Sequence, residues 1–107
     1  METRVTLFIT CFSIFFVCKS QDTTRVSLLF VGDVMQHDSQ IRAAFDPESN
    51  SYDYTDCFGH IAPVVQSADL AFANLEVTLA GPPFKGYPQF SAPDPLAVGL
   101  KESGFDV

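Results

Sequence analysis

The sequence predicts an α/β fold built on parallel strands, and three observations carry that prediction. Leu28, Leu29, Phe30 and Val31 form an unbroken apolar run, the pattern of a strand buried on both faces in a parallel sheet. Leu70 to Glu76, LAFANLE, reads as a second strand. The stretches between and after them carry apolar residues at helical spacing, and parallel strands need such crossovers because a tight hairpin cannot join them.

The first strand stops at Gly32, and Asp33 follows. A glycine there permits a tight turn, and in open α/β sheets the functional crevice lies beyond the carboxyl ends of the strands. Asp33 therefore stands where a metal or phosphate contact is expected, although the same pair also reads as a plain strand-to-turn junction. Asp38 to Phe45 predicts a short helix capped by Asp38 or Ser39, with Ile41, Ala44 and Phe45 on one face. Asp46 and Pro47 end it, and the polar segment through Asp56 reads as a loop. Ile61, Val64, Val65 and Ala68 then recur at helical spacing. Pro63 is tolerated only in a first turn, which places this helix from about His60 to Ser67.

In the second strand, Leu70, Phe72, Asn74 and Glu76 share one face, and Ala71, Ala73 and Leu75 share the other. Asn74 and Glu76 point the same way, about 6.6 Å apart by the rise of a strand. This end of the strand either leaves the core or lines a site. Val77 to Pro93 is rich in Pro and Gly and carries Phe84, Tyr87 and Phe90 at intervals of three. Linkers seldom hold so many aromatics, so the segment reads as an ordered loop. It is either a wall or lid over the strand ends or a flap pinned to the core by its rings. Asp94 and Pro95 start a helix with Leu96 and Leu100 on one face, and Gly104 stops it. Phe105, Asp106 and Val107 begin a third strand, so the sequence reads as the front part of a larger α/β domain.

The chain of 107 residues carries 13 acidic and 6 basic side chains, a net charge of −7. That balance argues against nucleic acid or an anionic membrane reached through basic patches. An anionic substrate would need a cation from elsewhere, and a bound metal is the simplest source. At the N-terminus, the charge-free stretch Val5 to Val17 is 13 residues long, whereas a bilayer span needs about 20. The segment fits the apolar core of a secretory signal, residues 1–20, with a mature chain from Gln21. A lipoprotein signal acylated at Cys18 and a retained anchor are the alternatives. Cys11 and Cys18 fall inside this segment, which leaves Cys57 without an intrachain disulfide partner. Cys57 reads either as a buried structural thiol or as a nucleophile with His60 for its base.

Taken together, FVGDVMQHDSQ, ADLAFANLE and GYPQFSAPDPLAVGLKESGFDV, in that order and spacing, resemble the N-terminal third of the CapA family, the poly-γ-glutamate capsule-biosynthesis proteins. The resemblance spans Arg25 to Val107. It implies that residues 25–107 form the N-terminal part of a calcineurin-like metallophosphoesterase fold, layered α/β and incomplete in this chain. It also implies that Asp33, Asn74 and Glu76 ligate a divalent metal of the Mn, Fe or Zn type. Asp33 and Glu76 would be catalytic, and Asn74 and His37 would bind substrate. The family's next signature, an Asn-Asn-His run, would begin just beyond Val107. The resemblance further implies an exported protein, periplasmic or extracytoplasmic, held at the membrane only through its N-terminal segment if that is retained. Its partners would be an anionic envelope polymer or its precursor and other capsule-assembly proteins. The competing readings are a non-catalytic assembly or binding subunit on the same fold, and an inactive truncated fragment.

Overall fold

The computed structural model describes residues 22–106, so the predicted signal segment 1–20 and Val107 lie outside the described residues. In chain order the elements are β1 (Leu28–Val34), α1 (Asp38–Ala44), β2 (Phe45–Asp46), β3 (Ser51–Tyr52), α2 (Thr55–Phe58), α3 (Ala62–Val65), β4 (Leu70–Leu75) and α4 (Pro95–Glu102). β1 and β4 pair in parallel, and β2 and β3 form a separate antiparallel hairpin. The mixed α/β character read from the sequence is therefore present, with helices in the crossover from β1 to β4.

The parallel pair is fastened before it begins. The Asp69 carboxylate accepts hydrogen bonds from the Ser27 backbone N–H and hydroxyl, each at 2.7 Å. The Asp69 N–H in turn donates to the Ser27 hydroxyl oxygen at 2.9 Å. These contacts hold the Asp69 carboxyl below its ordinary range, the backbone bond being the largest cause. Further along, Phe30 and Phe72 stack with centroids 4.8 Å apart and planes 11° from parallel. Such cross-strand aromatic pairs fix register on the face that carries them.

Only one face of this pair is covered. Ala71 is buried, and Leu29, Val34 and Ala73 pack beside it against Val65, Leu100 and Phe105. On the opposite face Phe30 is 68 % exposed and Leu28 53 %. Burial of β1 on both faces, expected from its apolar run, is thus corrected: among the described residues no layer lies over the Phe30 side. Apolar composition reports a strand's affinity for cover, whereas cover itself depends on tertiary packing.

The helix α4 binds the two halves together. Leu96 joins Ala44, Tyr54, Val77 and Ala92 in one cluster, Leu100 belongs to the cluster beneath β4, and Phe58 touches both. Pro95 stands in the first turn as expected. Asp94, however, has helical dihedrals and makes no side-chain cap, so the start is set by proline's fixed φ and by the buried Pro93 beside it. At the other end Gly104 takes φ +104°, and an added Cβ would lie 2.7 Å from Gln66 Cγ. Both facts explain why the stop is glycine.

Several boundaries differ from the sequence reading. The cap of α1 is His37, not Asp38 or Ser39, and its N–H donates to Gln40 Oε1 at 2.6 Å. The Asp38 carboxylate is engaged elsewhere, by the Gly86 N–H at 2.6 Å. Phe45 leaves the helix to pair with Tyr52, and the expected polar loop closes as a hairpin around Asp46. Its carboxylate accepts from the Glu48 N–H and the Ser49 hydroxyl, and Asn50 supplies the left-handed residue at φ +52°. The loop then ends early in α2, an unanticipated turn of helix. The next helix starts at Ala62, not His60, with Pro63 in its first turn, and ends at Val65. Phe105 and Asp106 are not a strand, yet Asp106 lies along β4. Its N–H donates to the Ala71 carbonyl, and its carboxylate accepts the Ala71 N–H, both at 2.9 Å.

Replacing Leu96, which is 3 % exposed, with Ala leaves a cavity in the cluster it shares with Ala44, Tyr54, Val77 and Ala92. Unfolding by urea should show a loss of about 2–4 kcal/mol for Leu96→Ala. Val98→Ala, on the exposed side of the same helix, should stay within about 0.5 kcal/mol.

Candidate functional site at the strand tips

The tips of β1 and β4 bring Asp33, Asn74 and Glu76 together. Asp33 is the register partner of Asn74, and the Asn74 amide donates to Asp33 Oδ1 at 2.8 Å. Glu76 follows the last residue of β4, where its N–H donates to the Val34 carbonyl at 3.1 Å, carrying the ladder one step further. The Glu76 carboxyl lies beside the Asp33 carboxylate, close enough for each to shift the other's titration.

A β-bulge makes this meeting possible. Phe30 pairs with Phe72 and Asp33 with Asn74, so Val31 and Gly32 together face Ala73. Side chains alternate along a strand, and Phe30 and Asp33 are an odd number of residues apart, so a regular β1 would turn them to opposite faces. The extra residue restores Asp33 to the Phe72–Asn74 face. The expected role of Gly32 as a tight-turn residue is corrected accordingly. Its φ is not left-handed and an added Cβ would meet nothing within 4 Å.

The electrostatics follow from two carboxyls in contact. The Asn74 amide, then the bond from Glu76, hold the Asp33 carboxyl below its ordinary value. That hydrogen bond to Asp33, and the repulsion between the two charges, raise Glu76 above its own. A lowered pKa favours the folded state above the ordinary carboxylate range and ceases to do so as pH falls through the lowered value. A raised one favours it at lower pH and ceases to do so as pH rises through the raised value. The pair is thus most favourably arranged in mildly acidic solution, with the proton on Glu76, and the two charges oppose each other at neutral pH. Both groups are exposed, so solvent screens their effect on stability.

The other candidates lie apart. The ring of His37 is exposed at the start of α1, with its backbone close beneath Gly86. Among the described residues no three His, Cys, Asp or Glu side chains converge, so His37 does not join the two carboxyls. His60 is exposed in the turn before α3. Cys57 is a free and exposed thiol on α2, which corrects the expectation of a buried one. The long loop meets part of both readings. Phe84 packs edge-on against Tyr52 with centroids 5.2 Å apart, and Phe90 packs onto the core cluster. Tyr87 stays 63 % exposed. The sequence reading missed Gln36, which is buried three residues along the chain from Asp33. Its Oε1 accepts from the Tyr54 hydroxyl at 2.9 Å, and burial pushes the Tyr54 phenol up to about 12. A lone Gln between a polar tip and a helix gives no signal of burial.

These features define the class: an α/β protein with two parallel strands whose carboxyl ends present a cluster of oxygen donors. The family of bacterial capsule synthesis proteins, PGA_cap, matches residues 27–107, and the chain belongs to it. No curated protein and no solved structure matches the chain. Among the described residues no helix is long and apolar enough to cross a membrane.

Carboxyl-carbon NMR titration should place the Asp33 inflection below, and the Glu76 inflection above, the ordinary carboxylate values. Asp33→Asn should return Glu76 towards its ordinary value; an unmoved Glu76 would show that the two do not interact. Gly32→Ala should leave both inflections in place and stability within about 0.5 kcal/mol.

Proposed function

We propose that this capsule-synthesis protein is exported and acts on an anionic envelope polymer or its precursor, with a divalent cation held by Asp33, Asn74 and Glu76. The single observation that carries the proposal is the convergence of these three residues, from two strands, on one ledge. An amide and two carboxyls kept in contact against their mutual repulsion form an oxygen-donor set of the kind that gains most from a cation. Such a set suits Mn²⁺ or Mg²⁺ better than Zn²⁺, which draws on imidazole and thiolate. When bound, such an ion supplies Lewis acidity towards a carbonyl or phosphoryl oxygen. Asn74 orients Asp33 through its amide N–H, and Glu76 would hold the ion as its carboxylate, giving up its proton on binding. The metallophosphoesterase-like fold and the poly-γ-glutamate substrate belong to the same proposal and are supported by the resemblance of the ordered motifs. Export is supported by the apolar segment at the N-terminus.

A second reading is a non-catalytic assembly subunit on the same scaffold. The observation that favours it is that the Asp33 carboxylate is engaged by the Asn74 amide, a bond that fastens β1 to β4.

Calorimetric titration with Mn²⁺ should show saturable binding that Asp33→Asn with Glu76→Gln reduces by at least about tenfold, the scale of losing charged ligands. In capsule-forming cells the same double variant should lose polymer production. Retained production would support the assembly subunit, and absence of Mn²⁺ or Mg²⁺ binding by the unaltered chain would overturn the metal reading.

A further inference from the structure

A second concave surface, lined by none of the strand-tip residues, lies between α1 and the loop around Lys85–Gln89. It is an open groove of about 540 Å³, within the range of small-molecule sites, roughly 300–1,000 Å³. Its two walls are locked together through backbone. The Gly86 N–H donates to Asp38 Oδ1, and the Tyr87 N–H donates to the Gln36 carbonyl at 3.0 Å. Position 86 has no room for a side chain, since a Cβ there would lie 2.4 Å from the Asp38 nitrogen. The groove is therefore set by packing that a ligand need not induce.

Its charge is opposite to that of the chain. The protein has a net charge of −7 and 6 basic residues, of which Arg25, Arg42, Lys85 and Lys101 lie in the described part. Two of these four, Arg42 and Lys85, line this one groove. Among the described residues neither forms an ion pair. Asp38, which also lines the groove, is held by the Gly86 N–H, and the Lys85 ammonium meets only the neutral Gln89 Oε1, at 2.9 Å. Beside the two cations stand the edge-packed rings of Tyr52 and Phe84 and the exposed ring of Tyr87. Unpaired guanidinium and ammonium groups flanked by aromatic surface suit an oxyanion joined to an apolar stem.

We infer that this groove binds the oxyanion of a small or chain-like ligand, a carboxylate or a phosphate, with Arg42 and Lys85 as its counter-charges and the aromatic rings against its carbon skeleton. The inference does not depend on a metal at Asp33 and Glu76, and it holds or fails separately from the function proposed above.

The test is titration of the full 107-residue chain, with EDTA present so that no metal contributes, using glutarate and inorganic phosphate as probes. Binding should be saturable and should shift the amide resonances of Lys85 to Gln89. Arg42→Gln with Lys85→Gln should weaken it about tenfold or more, the scale of charge-assisted hydrogen bonds. Lys85→Gln alone, in a loop outside α1, should give part of that loss, and Lys101→Gln, on α4, should give none. Binding of glutarate alone identifies a carboxylate ligand, and binding of phosphate alone a phosphoryl one. The inference is overturned if neither probe saturates, if the double variant binds like the unaltered chain, or if Lys101→Gln weakens binding as much.

Discussion

The parallel pairing of β1 with β4 is the constraint on which the rest depends. A two-stranded sheet has little stability of its own, and a parallel one gains slightly less per residue than an antiparallel one. Here the pair is fixed at both ends by side chains. Ser27 and Asp69 fasten the start, Asn74 and Asp33 fasten the tip, and the Phe30–Phe72 stack lies between. The tip fastening is also the candidate site, so structure and chemistry draw on the same hydrogen bond. Any group that recruits the Asp33 carboxylate must do so in competition with the Asn74 amide, or by sharing it.

Beneath the sheet, the arrangement is economical in a different sense. One helix of eight residues, α4, supplies a buried leucine to each of two small clusters, and the loop before it returns along the hairpin. The Thr78 hydroxyl bonds the Phe90 carbonyl, and Lys85 and Ser91 exchange backbone hydrogen bonds. The loop thus has its own internal pairing and stays in place without secondary structure of any length. This is why the groove beside α1 has defined walls.

Much of this was legible in the residues. The two strands, the short helix after the first, the proline-started helix and its glycine stop were all visible, because each depends on local chemistry such as periodicity, proline's fixed φ or a left-handed glycine. Asp33, Asn74 and Glu76 were visible as polar groups at strand ends. What escaped was decided by tertiary contact. Asp38 reads as a cap, but its carboxylate is claimed by Gly86, 48 residues away. The exposure of Phe30 depends on which layers lie over β1, and α2 is too short to leave a periodic trace. Gln36 and Tyr54 carry no pattern that announces their mutual hydrogen bond. The bulge was equally hidden, since counting residues along one strand says nothing of how its neighbour counts.

That miscount gives this stretch a one-sided tolerance to changes in length. Losing either Val31 or Gly32 would simply iron β1 into an even ladder, with its acid still abreast of Asn74. Gaining a residue there would also make the count even, but a regular ladder would then carry the acid one pair further, abreast of Glu76, where two carboxylates would oppose each other directly. Between Phe30 and Asp33, shortening therefore keeps the acid beside its amide partner, and lengthening exchanges that partner for a like charge.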